Sequence, residues 1–333
     1  MGHNIRDVAN KAGVSIATVS RVINNSSPVS EELKKRVNKA IHELGFRPNT
    51  IARSMRNKRS LLVGMILPDI SNPFFPFIAR GAEDALRKHG ISLIIVNSDQ
   101  NAKLELEAAV MMLDRNVDGV LFTGSGEDSD VVKLLREKTT TVFLDRSEEG
   151  TVTSVVSDNY SGMRQMIEYI YKNCHRRIWY LGGPSDVSSS IERKKAILDF
   201  CIEHNDVEIL LFDGEFNYEW GLNKTLSLLK SASPPDAIVC ANDLIALGAI
   251  DACKNKGFRV PEDISITGFD DISFAKHFNP PLTTIHQPIY KLGFEGASLL
   301  VEYLKGRRKR PITKVLEVAL LIRKSVKNKS VKI

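Results

Sequence analysis

The chain has 333 residues, of which 43% are hydrophobic and 26% charged, as is ordinary for a soluble globular protein of two or three domains. No stretch approaches the ~18 consecutive apolar residues that a membrane span needs, and residues 1–13 contain no apolar run. We therefore expect neither a membrane segment nor a signal peptide.

The net charge of +6 is unevenly distributed. Residues 1–60 carry 12 Lys and Arg against 4 Asp and Glu, whereas residues 61–304 carry 23 against 35, and residues 305–333 carry 11 against 1. A basic head on an acidic body indicates a polyanion as the partner of the head. For the basic tail, a solvated terminal strand with a frayed end is the favoured interpretation.

Apolar residues at helical spacing predict three short helices in residues 4–12, 14–25 and 30–44. Each begins near a side chain that can cap a helix: Asn4, Ser15 and Ser30. Gly13 turns the chain between the first two helices, and Gly45 ends the third. This arrangement predicts a helix-turn-helix domain.

The second of these helices has two different faces. Val19, Val22 and Ile23 form a stripe that should be buried. The other face carries small residues and one arginine, which suits the major groove of DNA. Its members are Ala17, Arg21 and Asn24, with Ile16 and Ser20 beside them. We interpret this helix as a recognition helix.

Residues 46–60 contain four arginines and one lysine but no acidic residue. Asn49 can cap a short helix over residues 50–56, which would be marginal in water by itself. Such a helix could form only when docked on DNA and on a second copy of the chain. Composition alone leaves a flexible basic tether equally open.

From residue 61, apolar stretches of strand length alternate with longer amphipathic segments. The predicted strands are residues 61–67, 92–97, 119–124, 140–145, 154–157, 177–183, 208–212, 236–242 and 264–270. Continuous apolar strands between helices predict parallel sheets that are covered on both faces. The region is long enough for two sheets. We expect the first to end near Val156 and the second near Thr284, and a closing helix over residues 289–305 could return to the first.

Ligands of doubly wound sheets bind beyond the carboxyl ends of the strands. The residues just past the predicted strands are Asp69, Phe74, Phe75, Asp145, Arg146, Arg193, Phe216, Asn242, Asp243, Asp270 and Asp271. Carboxylates and arginines bind vicinal hydroxyls, and aromatic rings cover the apolar face of a sugar. A small polar ligand between two lobes, a carbohydrate first of all, is the prediction. For each residue alone, a helix cap or a core position is a strong alternative.

Motifs for other chemistry are missing from the sequence. There is no third glycine for a dinucleotide fingerprint, no phosphate-binding loop, no HExxH and no GxSxG. The seven histidines lack metal-ligand spacing, so we expect no metal, no cofactor and no enzyme activity. Four cysteines are interpreted as buried free thiols of a reducing cytosol: Cys174, Cys201, Cys240 and Cys253.

Taken together, these segments resemble the LacI/GalR family of bacterial transcription regulators. The resemblance covers essentially the whole chain and rests on six ordered motifs: IRDVANKAGVSIATVSRVINN, GFRPNTIARSM, DISNPFF, ANDLIALGAI, VPEDISITGFDD and PPLTTIHQP. It implies a helix-turn-helix domain in residues 1–47, a hinge helix or linker in 48–60, and a two-lobed, periplasmic-binding-protein-like core in 61–333. The core would bind a small effector and form the dimer.

The resemblance also implies residue roles on DNA. Ser15 and Thr18 would hold phosphates, while Ile16, Ala17 and Arg21 would face base edges. In the hinge, Asn49 and Arg53 would lie in the minor groove, and Met55 takes the position of a leucine that wedges between base pairs. The complete set of expected DNA contacts is Asn4, Ser15, Ile16, Ala17, Thr18, Ser20, Arg21, Asn24, Asn49, Arg53 and Met55.

Eight positions match effector-contacting residues of the family: Phe75, Asp145, Arg146, Ser189, Arg193, Phe216, Asn242 and Asp270. After Arg193 the sequence RKKAILDF departs from the family pattern, which affects the register of residues 187–190. The tail VKNKSVKI has no leucine heptads, so a homodimer is expected rather than a tetramer.

The implied function is a repressor in the bacterial cytoplasm, at the nucleoid. It would bind a pseudo-palindromic double-stranded DNA operator under the control of a small ligand, a sugar or, second, a nucleobase. The alternative is a non-enzymatic cytoplasmic sugar-binding protein with an incidental basic N-terminus.

Overall fold

The computed structural model describes residues 3–24, 27–46, 59–124, 129–147, 152–231, 233–308 and 310–328. The chain divides into two compact units, Met1–Ser60 and Leu61–Ile333. Each is described below by itself.

The first unit contains the three predicted helices, α1 (Ile5–Ala12), α2 (Ile16–Asn24) and α3 (Glu31–Leu44). All three predicted caps are confirmed. The Asn4 side chain accepts from the backbone N–H of Arg6 at 2.8 Å, and the backbone N–H of Thr18 donates to Ser15 Oγ at 3.1 Å. The third cap, Ser30, accepts from the Leu33 N–H.

The turn between α1 and α2 is held by a residue of α3. Gly13 has φ +61°, which favours glycine. Arg36 Nη2 donates to the carbonyls of Ala12 at 2.7 Å and Gly13 at 3.2 Å. A Cβ at Gly13 would lie 2.6 Å from Arg36 Nη2, so it would displace the guanidinium that holds this turn.

The core of the first unit is small and apolar. Val8, Val19 and Val37 are fully buried, and Val22 and Ile23 pack against them. The predicted buried stripe of α2 is therefore confirmed.

The first lobe of the second unit contains a parallel sheet. Its first five strands are β1 (Leu62–Leu67), β2 (Ser92–Asn97), β3 (Gly119–Phe122), β4 (Thr140–Leu144) and β5 (Thr153–Ser157). Between them lie the helices α4 (Phe74–Arg87), α5 (Ala102–Asp114) and α6 (Asp130–Lys138). Apolar side chains pack on both faces of the sheet, as the continuous apolar strands predicted.

The second lobe repeats this construction. Its strands β6 (Arg177–Leu181), β7 (Glu208–Phe212), β8 (Ala237–Cys240) and β9 (Ser265–Thr267) are parallel, in the order β7-β6-β8-β9. The helices are α7 (Asn159–Lys172), α8 (Ser188–Glu203), α9 (Tyr218–Ser231) and α10 (Asp243–Asn255). One apolar core joins sheet and helices.

The end of the chain crosses between the lobes. It forms β10 (Thr284–His286), α11 (Ile289–Leu304), β11 (Thr313–Leu316) and β12 (Ala319–Leu321). As predicted, α11 returns to the first lobe, where it packs closely on α4. A Cβ at Gly293 would lie 1.8 Å from the Ile78 carbonyl oxygen, so this close approach depends on glycine.

The tail differs from the sequence-based prediction of a solvated strand with a frayed end. Strand β11 pairs in parallel with β5, so the first sheet has six strands in the order β11-β5-β4-β3-β1-β2 and does not end near Val156. Strand β12 pairs antiparallel with β10. Beyond β12, Ser325 is fully buried, and its hydroxyl donates to the Ile266 carbonyl at 2.6 Å.

The interpretation of all four cysteines as buried is wrong for two of them. All are free thiols, but Cys174 is exposed and Cys201 half-buried, whereas Cys240 and Cys253 are buried. Cys174 follows the end of α7 with φ +61°, in a turn at the surface. In the described part of the chain, no helix is both long and apolar enough to cross a membrane.

Candidate ligand cleft and DNA-reading helix

The carboxyl ends of both sheets border one cleft of about 290 Å³. Its lining is Asn72, Phe74, Phe75, Asp145, Arg146, Ser189, Arg193, Phe216, Asn242 and Asp270. All eight residues predicted as effector contacts are therefore brought together.

Asp145 and Arg146 follow β4 and form a buried pair. Arg146 Nη1 donates to Asp145 Oδ2 at 2.6 Å and to Ser189 Oγ, on the second lobe, at 3.2 Å. Asp145 has φ +58°, a conformation that Asp tolerates better than most residues. The other carboxylate oxygen, Asp145 Oδ1, is buried and has no hydrogen-bond partner among the described residues.

A second contact links the lobes beside this pair. The backbone N–H of Ser147 donates to Ser188 Oγ at 3.2 Å. The N-terminus of α8 is thus attached to the end of β4 across the cleft.

Arg193 is a fixed cation in the second lobe, with only 2% of its surface exposed. Its Nε donates to Asn159 Oδ1 at 2.9 Å and its Nη1 to the Ala241 carbonyl at 2.6 Å. The guanidinium lies 3.8 Å from the ring centroid of Phe269 and 5.7 Å from that of Phe216. These contacts leave it little freedom of orientation.

Asp270 is the carboxylate beside Arg193, with Oδ1 3.7 Å from Nη1. Gln287 Nε2 donates to the same oxygen at 2.6 Å. Burial raises the pKa of Asp270 well above its usual range, and the charge of Arg193 opposes this rise. The cleft thus contains two arginines and two carboxylates, arranged as two pairs.

The aromatic residues of the cleft come from both lobes. Phe75 lies in the first turn of α4 and packs edge-on against Phe74, with ring centroids 5.3 Å apart. Phe216 closes over Gly183, where a Cβ would lie 2.3 Å from its ring. Gly183 is therefore required for the position of Phe216.

Asn242 lines the cleft and is also the cap of α10. Its Oδ1 accepts from the Ile245 N–H at 2.8 Å, and its Nδ2 donates to the Phe216 carbonyl at 3.2 Å. An amide nitrogen has two N–H donors, so a second one is left for a ligand.

Three of the strand-end carboxylates do not line the cleft. Asp69 caps a turn by accepting from Ser71, and Asp271 pairs with Arg323 and His286. Asp243 is fully buried and accepts from the Thr284 hydroxyl at 2.6 Å and the Ile272 N–H at 2.9 Å. Of the three, Asp243 has the core position that was the alternative interpretation, whereas Asp69 stabilises a turn and Asp271 forms ion pairs.

Sequence reasoning missed three residues that belong to the cleft or hold it. Asn72 lines the cleft and accepts from the Phe74 N–H; its place just before α4 was the available signal. Asn159 and Gln287 hold Arg193 and Asp270 from remote parts of the chain, and no local pattern indicates such contacts.

On the head, α2 presents its predicted polar face to solvent. Ser15, Ala17 and Arg21 are exposed, and Ile16 is 45% exposed although it is a large apolar residue. Thr18 and Ser20 are half-buried, and Asn4 serves as the cap of α1. Asn49, Arg53, Met55 and the Asn24 side chain lie outside the described residues.

In the described ranges there is no group of three or more His, Cys, Asp or Glu residues that could hold a metal ion. The cleft therefore offers hydrogen bonds, charge and aromatic surface.

Comparison with known proteins identifies the family. The family model for bacterial regulatory proteins of the lacI family matches residues 4–49, and that for the periplasmic binding protein-like domain matches residues 167–326. The HTH-type transcriptional regulator RegA of Clostridium saccharobutylicum is 36% identical over 98% of this chain and 99% of its own length. The chain belongs to the lacI family of bacterial regulatory proteins. It is therefore a transcription regulator, which removes the alternative of a sugar-binding protein with an incidental basic N-terminus.

Other members of the lacI family give the same picture. The ribose operon repressor of Bacillus subtilis (strain 168) is 37% identical over 90% of this chain and 91% of its own length. The lac repressor dimer bound to operator and the anti-inducer ONPF has a TM-score of 0.89, with 28% identity, covering 98% of this chain and 99% of that one. The complex of the regulator CelR with cellobiose has a TM-score of 0.74, with 31% identity, covering 97% and 99%.

Proposed function

We propose that the chain is a repressor that binds an operator as a homodimer, in the bacterial cytoplasm at the nucleoid. A neutral polar ligand in the cleft, a sugar, controls its affinity for DNA. The domain roles are those expected from the sequence, with residues 1–47 reading DNA, 48–60 serving as the hinge and 61–333 binding ligand and partner subunit.

The ligand class rests chiefly on Asp145 Oδ1, a buried acceptor without a partner among the described residues. A buried acceptor left unpaired costs about 1–3 kcal/mol, so a ligand that donates to it is favoured. The pairing of Arg146 with the Asp145 carboxylate favours a neutral ligand over an anionic one. Sugar hydroxyls supply the donor, and Phe75 and Phe216 supply apolar surface for the ring.

Relatives support a sugar over a nucleobase, the second choice. One is named a ribose operon repressor, and one solved relative is a complex with cellobiose.

On DNA, α2 would lie in the major groove. Arg21 is the strong donor for a guanine, while Ile16 and Ala17 are limited to apolar contacts such as a thymine methyl. Ser15, Thr18, Ser20, Asn4 and Asn24 would contact phosphates or neighbouring edges. The hinge residues Asn49, Arg53 and Met55 would add contacts in the minor groove.

The ligand would control affinity for DNA by changing the arrangement of the two lobes. The contacts of Arg146 with Ser189 and of Ser147 with Ser188 tie the lobes together beside the site. A ligand that binds one lobe arrangement more tightly than another shifts the population toward it, and the shift is limited by that difference in affinity.

Exposed apolar residues on the first lobe support a homodimer. Ile70, Phe77 and Ile95 are 49%, 45% and 40% exposed, and Ile95 lies on the edge strand β2. Two copies of the head would then read a pseudo-palindrome, as two-fold symmetry requires.

Two experiments test the proposal. Selection of random duplex DNA with the full chain should enrich a palindrome with half-sites about one helical turn or a multiple apart. A thermal-shift screen should find a neutral sugar that raises Tm, because a ligand at 100 times its Kd stabilises by about 2.7 kcal/mol. Stabilisation only by phosphorylated sugars would contradict the neutral ligand, and the lack of an enriched palindrome would contradict the operator.

A further inference from the structure

Four exposed basic residues cluster on the first lobe, and we call them the basic edge: Lys88, His89, Lys305 and Arg307. Lys88 and His89 follow α4, and Lys305 and Arg307 follow α11. Lys305 Nζ lies 3.1 Å from His89 Nδ1. Partial burial lowers the pKa of His89, and the charges of Lys305, Arg307 and Lys88 lower it further.

Within the part of the chain that the structure describes, no acidic side chain forms an ion pair with Lys88, Lys305 or Arg307. Among the described residues, the neighbouring Arg87 pairs with Glu83 and Asp84, and Arg308 pairs with Glu302. None of these ion pairs includes Lys88, Lys305 or Arg307. Lys88 Nζ instead lies 4.4 Å over the Phe294 ring.

Stabilisation of the helix ends accounts for only part of the positive charge of the basic edge. Lys88 and Lys305 are the C-cap residues of α4 and α11, where the helix dipole favours a cation. Arg307 lies beyond the helix, and five of the six residues 305–310 are basic. Residues 61–304, by contrast, carry 23 basic and 35 acidic residues.

The basic edge lies where the chain from the head joins the core unit. The Leu61 N–H donates to Asp118 Oδ2 at 3.0 Å, and the Ser92 N–H donates to the Leu61 carbonyl at 2.9 Å. Ser92 follows His89 by three residues. Residues 47–60 span at most about 50 Å even when fully extended, so DNA held by the head stays within reach of this point.

We propose that the basic edge is a second DNA surface, which contacts phosphates of the duplex that flanks the operator. This inference rests on the proposed function, because the head brings the DNA. Lysine and arginine bind phosphates without reading sequence, and each contact releases counterions from the duplex. The contact therefore adds affinity and salt dependence but no specificity.

The test compares the full chain with the triple variant Lys88→Gln, Lys305→Gln and Arg307→Gln. The probe is the palindrome enriched by selection, used both at the centre of a 60-base-pair duplex and trimmed to the operator alone. The variant lacks three cations in each subunit of the dimer, so on the long duplex the slope of log affinity against log salt should fall by up to about 5.4, at about 0.9 per lost phosphate contact. That slope change is up to about an 1,800-fold difference between 50 and 200 mM salt. On the trimmed duplex, the two proteins should bind alike.

A matched control loses the same charge from the second lobe, through Lys195→Gln, Lys256→Gln and Lys276→Gln, three exposed lysines. It should keep the wild-type slope on both duplexes. Equal slopes for the wild type and the first variant on the long duplex would overturn the inference while leaving the proposed function intact. Failure of the wild type to enrich a palindrome would overturn the proposed function, and this inference with it.

Discussion

Replacing Asp145 with asparagine tests the proposed ligand site at Oδ1, the buried acceptor without a partner among the described residues. Asn is nearly the same size and also tolerates the φ of +58° at this position, so the backbone should not change. The substitution removes the charge that Arg146 contacts at 2.6 Å and weakens the acceptor Oδ1 that is left for the ligand.

A hydrogen bond to a charged group contributes about 1.5–3 kcal/mol. At 1.4 kcal/mol per factor of ten, Asp145→Asn should therefore weaken ligand binding by about 10- to 150-fold. Without ligand, affinity for DNA should be unchanged, since Asp145 lies in the cleft and not on the head.

Calorimetry with the sugar that raises Tm most in the screen measures this effect. Asp69→Asn is the matched control, because Asp69 follows β1 but accepts only from its own turn in the contacts described here. Wild-type affinity in Asp145→Asn would refute the reasoning that the ligand donates to this carboxylate. An equal loss of ligand affinity in Asp69→Asn would show that the effect is not specific to the Asp145 carboxylate.

Further predictions concern the head, the cleft and the pH dependence of stability. Arg21→Ala should cost about 1–3 kcal/mol at the operator and flatten the preference at one base pair, measured by anisotropy on singly substituted operators; an unchanged profile would exclude Arg21 as a base reader. Gly183→Ala should weaken ligand binding but not DNA binding, because its Cβ would lie 2.3 Å from the Phe216 ring and displace it; calorimetry and anisotropy on the same preparation separate the two. Burial raises the pKa of Asp243 from 3.8 to about 7, so the folded state holds more protons than the unfolded state in that range. Its contribution to the free energy of unfolding should be present below pH 4 and be lost as pH rises through 7. Asp243→Asn should flatten this dependence in denaturant titrations, and parallel curves would contradict the assignment.

The sequence predicted the fold where the pattern is local. Apolar stretches predicted β2 and β7 at their observed bounds, and capping residues located all three helices of the head. The pattern failed for β10, β11 and β12, which are three or four residues long. Their pairing with distant strands gives no periodic signal, so the return of the tail to both lobes could not be predicted.

The rule that ligands bind beyond the carboxyl ends of the strands located the cleft. It did not identify the residues that orient the side chains of the cleft. Arg193 could be predicted from its place beyond a predicted strand, yet the residues that orient it, Asn159 and Phe269, depend on packing between distant elements. The same holds in the head, where Arg36 of α3 fixes the turn at Gly13. The same rule proposed Asp243 as a ligand contact. Asp243 is instead buried away from the cleft, where it accepts hydrogen bonds from Thr284 and Ile272.

The central claim is that occupancy of the cleft changes the affinity of the head for DNA. The most direct measurement is a titration of operator affinity with the sugar found in the screen, using the full-length wild type and Asp270→Asn. We predict that the sugar shifts the operator Kd of the wild type by about 5- to 150-fold, the range of a 1–3 kcal/mol coupling, and that Asp270→Asn binds the operator normally but loses the shift. An operator Kd that stays constant while calorimetry shows the cleft of the wild type to be saturated would contradict the account.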